Sequence, residues 1–294
     1  MRMLPGVYSD PLVFDQATIT TLEVIATGAT ILGFTAIELR TGADVKLRGP
    51  ELVGRNFAVS CGQTDEPSSR LQLSDATLSA AAEDSSALIT GANCSFDVSR
   101  TVLRRGGDGA VILIASDAAF RGDRLHVISP GLAGIGLLFR HVSLVITNSI
   151  LENPQFLFAT NDSTAPDSSV RLAFNTMVFT SPGNGILCQP NSGSAHRSVV
   201  FENNILFAAS ATSVVEGDDC TFTNNVIFPQ EVPIANNTIA DPMFVDVATG
   251  DFRVLPTSPA VGAADPTLSI STDHDFQNTP RPQGPAPDIG AFEQ

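Results

Sequence analysis

The chain has 294 residues, 43% of them hydrophobic, and its 16 basic and 31 acidic residues give a formal net charge of −15. This hydrophobic content excludes a disordered chain, and no apolar run approaches the ~18 residues of a transmembrane helix. Because the negative charge repels phosphate backbones, nucleic acid is not an expected partner.

Short apolar phrases recur along the chain with a period of about 25 residues, most clearly at 198–207 and 220–228. Each repeat holds at least two β-type runs, separated by Gly, Ser, Pro or Asn turns without a helical register. A leucine-rich repeat would need a helix in each unit, so this pattern disfavours it. It predicts an all-β solenoid, a parallel β-helix of about nine or ten coils stacked at strand spacing.

The chain divides where the repeat stops. We expect residues 1–230 to form the β-helix and residues 231–294 to form an irregular C-terminal capping segment packed on the same body. The first residues lack the apolar region of a secretory signal and run directly into a strand-like segment. Of a cytosolic protein and a longer exported one, we favour the second, with the N-terminal cap missing from this segment.

Four cysteines occupy repeating positions. Cys61 and Cys188 each end the second strand of a coil, while Cys94 and Cys220 each open the anchor strand of the next coil. The two separations are nearly equal, as disulfides between successive coils would require. We therefore predict the pairs Cys61–Cys94 and Cys188–Cys220 and an oxidising compartment. Four unrelated buried thiols are the alternative.

Basic residues concentrate in the middle of the chain, and three of them are candidate ligand-binding residues: Arg121, Arg124 and Arg140. They would form an anion-binding patch for an acidic polysaccharide. The alternative is a solvated surface paired with neighbouring carboxylates such as Asp123.

One set of residues has the composition of a catalytic site. Asp117, His141 and Asp162 each fall just after the second strand of consecutive coils, so stacking would place them in a column. Carboxylates beside an imidazole orient it as a general base. A surface ion column is the alternative interpretation.

From residue 146 onward, asparagine enters the repeated phrases. We predict an internal asparagine ladder formed by Asn148, Asn175, Asn203 and Asn224, because stacked amides can donate and accept along the rod. This role is structural.

The last segment contains DPMFVDVATGDFRV at 241–254, SPA at 258–260, DHDF at 273–276, PRP at 280–282 and DIGAFE at 288–293. These phrases resemble the C-terminal signature of bacterial right-handed parallel β-helix proteins of the pectin-lyase-like superfamily that carry a choice-of-anchor Q domain. The resemblance covers about 50 residues. It implies a right-handed, single-stranded β-helix in an exported, often surface-attached protein, with the tail closing its C-terminal end.

Asp273 and Asp275 are the one weak metal candidate, since paired carboxylates suit Ca²⁺. A turn hydrogen-bonded to its own backbone is the alternative, and we expect no other cofactor.

The superfamily includes pectate lyases and polygalacturonases, but the chain lacks their active-site phrases. It also has no Trp and a single Tyr, Tyr8, so the aromatic platforms common in sugar-binding sites are missing. The sequence therefore favours an exported or surface-attached interaction module without an identifiable active site, expected to be a monomer with a polysaccharide or surface partner. A pectate-lyase-like lyase or a glycoside hydrolase is the alternative.

Overall fold

A computed structural model of the chain describes residues 1–15, 21–62, 68–80, 87–107, 109–129, 133–138, 141–159, 168–180, 185–188, 197–211, 213–268 and 270–294. Short strands account for nearly all regular structure in these residues, and one 3₁₀ turn, Val247–Thr249, is the helical exception among them. The predicted all-β class is confirmed.

The first half of the chain contains these strands: β1 (Gly6–Tyr8), β2 (Leu12–Asp15), β3 (Leu22–Ile25), β4 (Ala29–Arg40), β5 (Asp44–Arg48), β6 (Glu51–Cys61), β7 (Ser69–Ser74), β8 (Thr77–Ala80), β9 (Ala87–Gly91), β10 (Cys94–Arg104), β11 (Gly109–Ile114), β12 (Ala119–Ile128), β13 (Ala133–Leu138) and β14 (Ser143–Thr147). The second half contains β15 (Ile150–Glu152), β16 (Pro154–Ala159), β17 (Ser168–Ala173), β18 (Thr176–Phe179), β19 (Ile186–Cys188), β20 (Arg197–Glu202), β21 (Ile205–Ala208), β22 (Val215–Gly217), β23 (Thr221–Thr223), β24 (Val226–Phe228), β25 (Thr238–Ile239), β26 (Phe244–Asp246) and β27 (Asp251–Val254).

The strands stack in parallel into three faces. The first face contains β3, β5, β7, β10, β12, β14, β17, β20 and β23. The second face contains β1, β4, β6, β8, β10, β12, β15, β18, β21, β24 and β25. The third face contains β2, β4, β6, β9, β11, β13 and β16, and β19 pairs with β22 beyond it. Strands that belong to two faces bend between them.

This arrangement is a parallel β-helix of about seven turns, which confirms the predicted fold. The sequence predicted nine or ten coils. That number came from phrases on the first two faces, which carry nine and eleven strands among the described residues. The third face carries seven strands in the continuous sheet, so the outermost coils are incomplete.

The core is built from stacked inward side chains. Leu47, Leu73 and Val98 are aligned in register on the first face, and Leu52 and Leu78 on the second. All five are at most 1% exposed. This stack is the repeat visible in the sequence, and each coil buries its apolar side only against its neighbours.

One coil departs from this stack of large apolar side chains. The residue in register with Val98 is Gly122, which has no side chain. A Cβ at Gly122 would lie 2.6 Å from Leu125 Cδ1 and 3.0 Å from the Phe120 ring, so these two side chains occupy the space that the glycine leaves. The core therefore remains filled at this coil.

The ladder is formed by a different set of asparagines from the predicted one. Amides of Asn175, Asn204, Asn225 and Asn237 bond successively, each Nδ2 donating to the next Oδ1 at 2.8–3.1 Å. Asn148, Asn203 and Asn224 instead occupy the preceding position, at positive φ of 48°, 54° and 55°. The left-handed conformation turns the chain at this corner, and Asn tolerates it. Asn224 Nδ2 also donates to Asn203 Oδ1 at 2.8 Å, so two of the predicted asparagines bond to each other. Of the predicted set, only Asn175 belongs to the buried ladder.

Both predicted disulfides are present. Cys61–Cys94 and Cys188–Cys220 have Cα–Cα distances of 6.1 Å and 5.5 Å. The four sulfur atoms connect neighbouring coils, as the equivalent positions of the cysteines require.

The tail, residues 231–294, closes the end of the stack and then covers its side. Ile234 and Ile239 pack against the last core layer. Further on, Ile289 packs in a cluster with Phe174 and Ile205, and Phe292 packs in another with Val178. The capping segment therefore extends along the second face, beyond the end that the resemblance implied.

A buried ion pair organises the tail. Arg281 Nη1 lies 3.0 Å from Glu293 Oε2, and both side chains are inaccessible to solvent. The guanidinium also donates to the carbonyls of Asp288 and Gly290, and it lies 4.9 Å from the centre of the Phe174 ring. Burial lowers the pKa of Arg281, while the Glu293 charge opposes that shift. These residues belong to the Pro-Arg and Asp-Ile-Gly-Ala-Phe-Glu phrases, which therefore have a structural role in this chain.

Candidate functional site

A groove of about 530 Å³ runs over the first face. Its floor consists of the outward side chains of Asp97, Arg121, Val145 and Arg171, which are in register on β10, β12, β14 and β17. Tail residues 270–274 form one wall. The groove thus lies between a regular sheet and a segment that is distant in the sequence.

The arginines of the groove have different environments. Arg124 Nε lies 2.8 Å from Asp123 Oδ2, and its Nη1 donates to Asn278 Oδ1 in the tail at 2.6 Å. Arg121 is exposed and makes no hydrogen bond or ion pair with any other residue that the structure describes. Of the predicted ligand-binding residues, Arg121 therefore has an exposed guanidinium without a described partner, and Arg124 holds the tail that forms the wall. Arg140 lies outside the described residues.

Two buried polar atoms border the groove without a partner. Asn148 is 3% exposed, and its Nδ2 donates to Asp123 Oδ1 at 3.0 Å. Its Oδ1 has no hydrogen-bond partner, and neither does Thr272 Oγ1 on the tail. Buried polar groups are nearly always paired, so these two atoms mark a place where a ligand or water is expected.

A second groove continues toward the N-terminus and shares Asp97 with the first. It is lined by Lys46, Arg48 and Arg100. Arg48 and Arg100 both contact Asp75, at 2.9 Å and 2.6 Å. The hydrogen bond from Arg100 and the two positive charges lower the pKa of Asp75, against a smaller opposing effect of burial. The basic residues of the first face thus extend over several coils.

The structure brings together two of the three predicted catalytic residues. His141 Nδ1 lies 2.5 Å from Asp117 Oδ1. The two residues have equivalent left-handed conformations, both with φ 56°, in the turns that precede β14 and β12. They lie at the edge of the first face opposite the Arg124 corner. Asp162 falls outside the described residues, so the structure offers one carboxylate and one imidazole, 50% and 39% exposed.

Asp273 and Asp275 have separate environments. Asp273 is 93% exposed and lies 3.0 Å from His274 Nδ1, whose hydrogen bond lowers the pKa of the carboxyl group. Asp275 is fully buried, and its oxygens accept from the backbone N–H groups of Thr279 and Glu293. The second carboxylate thus orders the tail. Within the described ranges, no group of three or more His, Cys, Asp or Glu residues is arranged for a metal ion.

Sequence reasoning missed several groove residues. Arg171 has the register position of Arg121 two strands later, so alignment of the inward residues would have found it. Thr272 carries no such signal, because only the fold brings the tail to β14.

No protein-family model matches the chain, and no curated protein matches it. Four chains of solved structure match. One is the crystal structure of pectate lyase Pel9A, with a TM-score of 0.60 and 13% identity over 100% of this chain and 87% of that one. At this identity the likeness shows the fold alone, so the resemblance of the tail to the choice-of-anchor Q signature stays a prediction.

Among the described residues, no helix has the length and apolar character needed to cross a membrane.

Proposed function

We propose that this protein is an extracellular β-helix that binds an acidic polysaccharide along the first face. The observation that carries the proposal is Arg121, an exposed guanidinium without a described partner at the floor of the groove. A guanidinium binds a carboxylate through two parallel hydrogen bonds. The rest of the protein is strongly acidic and repels anions, so an anionic ligand should bind preferentially at this face.

The shape of the basic surface favours a polymer over a small anion. The basic residues of this face are spread along the stacking axis: Lys46 and Arg48 on β5, Arg100 on β10, Arg121 on β12 and Arg171 on β17. Adjacent strands are spaced about 4.8 Å apart. An extended chain lying along the stacking axis would pass each of these side chains in turn.

Two further observations support an extracellular polysaccharide role. Two disulfides are typical of an oxidising compartment. A protein of the same fold is named a pectate lyase, and pectate is an acidic polysaccharide.

Isothermal titration with polygalacturonate, alginate and a sulfated glycan tests the proposal. Arg121→Gln should weaken binding at least about fivefold, because it removes a charge-assisted contact. Arg104→Gln is the matched control, since Arg104 is an exposed arginine on the second face. Failure of the wild-type protein to bind any of the three polymers contradicts the proposal, as does equal weakening by both variants.

A polysaccharide-active enzyme is the second candidate, favoured by the Asp117–His141 hydrogen bond at the edge of the same face. A carboxylate that orients an imidazole is a common arrangement for general base catalysis. Turnover would appear as new reducing ends or as absorbance of unsaturated uronates. Loss of that turnover in His141→Ala, with polymer binding kept, would support catalysis; a complete absence of turnover would exclude it for the polymers tested.

A further inference from the structure

We propose that Asn148 and Thr272 form a subsite for the free hydroxyl groups of a uronic acid unit whose carboxylate is bound by Arg121. This inference rests on the proposed function and narrows it to a substrate class: uronates with unsubstituted secondary hydroxyls, in preference to O-acetylated or O-sulfated chains.

The orientation of the Asn148 amide is fixed by its neighbours. Its Nδ2 donates to Asp123 Oδ1, and a carboxylate can only accept. Reversing the amide would place two acceptor oxygens against each other. Asp123 is itself held by Thr147 Oγ1 at 3.0 Å and by Arg124 at 2.8 Å. The carbonyl oxygen of Asn148 must therefore point away from Asp123, where it has no partner.

Asn203 and Asn224 occupy corner positions equivalent to that of Asn148, and their amides have hydrogen-bond partners in the tail. Asn203 Oδ1 accepts from the backbone N–H of Asp265 in the tail at 3.0 Å. Asn224 Nδ2 donates to the carbonyl of Ala263 at 2.8 Å. At these two coils the tail backbone thus bonds the corner amide. Asn148 Oδ1 has no such partner, and Thr272 of the tail, whose hydroxyl is also unpaired, borders the same groove.

The unpaired atoms define the chemistry of the ligand. An amide carbonyl accepts only, so its partner must be a donor, and the Thr272 hydroxyl can both donate and accept. Arg121 requires an anion, and the exposed carboxylate of Asp97 beside it can accept a further hydroxyl. A ligand with one carboxylate and several neighbouring hydroxyls satisfies all four groups. Acetylation or sulfation would replace the hydroxyl donors with groups that only accept.

Two variants test the subsite. Thr272→Val keeps the side-chain shape and removes the unpaired hydroxyl, so the free protein should keep its thermal stability. Asn148→Gly removes the amide at a position whose φ of 48° glycine adopts readily. Each should weaken polygalacturonate binding about fivefold, the change expected for one lost hydrogen bond. Asn236→Gly is the matched control, because Asn236 is an exposed corner residue at φ 60° and lies outside the groove.

A comparison of ligands completes the test. Polygalacturonate O-acetylated at its secondary hydroxyls should bind wild-type protein about fivefold more weakly than the unmodified polymer, and Thr272→Val and Asn148→Gly should lose this preference.

The outcomes separate the two proposals. If wild-type protein binds polygalacturonate but neither variant nor acetylation changes the affinity, the subsite is overturned while the proposed function stands. If wild-type protein binds no polymer, both are overturned. A crystal structure with bound oligogalacturonate in which a water, and no sugar hydroxyl, contacts Asn148 Oδ1 also overturns the subsite.

Discussion

Arg100 Nε lies 2.6 Å from Asp75 Oδ1, one coil away, and Arg48 approaches the same carboxyl group at 2.9 Å from the opposite side. The carboxylate thus links three successive coils of the first face. Its pKa is lowered, mainly by the hydrogen bond from Arg100.

We expect this cluster to make stability depend on pH in the acid range. Because the pKa of Asp75 is lower in the folded chain, its contribution is complete above the unfolded value of about 3.9 and disappears as pH falls through the folded value. The side chain is 30% exposed, so the contribution should be below about 1 kcal/mol. Urea unfolding of Asp75→Asn between about pH 2 and 6 should show a weaker pH dependence than wild type. Asp10→Asn, at an exposed position, is the control, and an equal slope in both variants would exclude the effect.

The disulfides should stabilise the coils that they connect. Each bridge closes a loop of just over 30 residues, for which chain entropy gives roughly 3–4 kcal/mol. Because coils contact their neighbours only, the Cys61→Ser/Cys94→Ser double variant should lose hydrogen-exchange protection mainly in β6, β9 and β10. Protection of β17 and β20 should persist. Uniform loss over the whole chain would contradict local stabilisation.

Interrupting the internal asparagine ladder should lower the free energy of unfolding. Asn204 is 0% exposed; its Oδ1 accepts from the backbone N–H of Asn175 at 2.9 Å, and its Nδ2 donates to the carbonyl of Leu172 at 2.8 Å. Asn204→Ala leaves these groups buried and unpaired, which costs about 1–3 kcal/mol for each group. Chemical unfolding should therefore show a loss of at least about 2 kcal/mol. The exposed corner variant Asn236→Gly should unfold like wild type, and a similar loss there would show that the corner, not the ladder, carries the stability.

The buried ion pair of Arg281 and Glu293 allows a test of how the tail is stabilised. Arg281→Met leaves the Glu293 carboxylate buried without its cation, which should cost about 3–5 kcal/mol. Adding Glu293→Gln should recover part of this loss, because the uncompensated charge is then gone. Arg253→Met is the control: it removes an exposed tail arginine that contacts Asp251, and it should change the free energy of unfolding far less than Arg281→Met does. Unfolding free energies are measured for wild type, Arg281→Met, Glu293→Gln, their double variant and Arg253→Met; additive effects of the two buried substitutions would disprove the coupling.

The sequence is sufficient to predict the solenoid, because the inward residues recur on every coil and the cysteines repeat their offset. It is less informative about register. Asn203 and Asn204 are adjacent, yet one turns the corner and the other points into the ladder, so aligning on asparagine alone mixes the two positions. Aligning on the anchors Leu172, Phe201 and Phe222 would have separated them.

The groove could not be predicted by aligning the repeats of the sequence. Its floor repeats with the coils, but its wall comes from residues 270–274, which have no repeat partner. Their position depends on the packing of Phe276 beside His126, with ring centres 6.1 Å apart, and on the Arg124–Asn278 hydrogen bond. Neither contact has a local sequence pattern.

The tail also gives the rod a mechanical asymmetry. Its contacts extend from Arg124, within β12, to Asn224, just after β23, so coils that do not touch one another are fastened to a common brace. The coils before β12 depend on their hydrogen-bonded neighbours and on the Cys61–Cys94 disulfide. Under a pull along the long axis, the coils that precede this disulfide would separate one at a time, while the C-terminal half would resist until the tail detached. A protein held by its C-terminal end would therefore keep most of its groove in shape while the opposite end yielded.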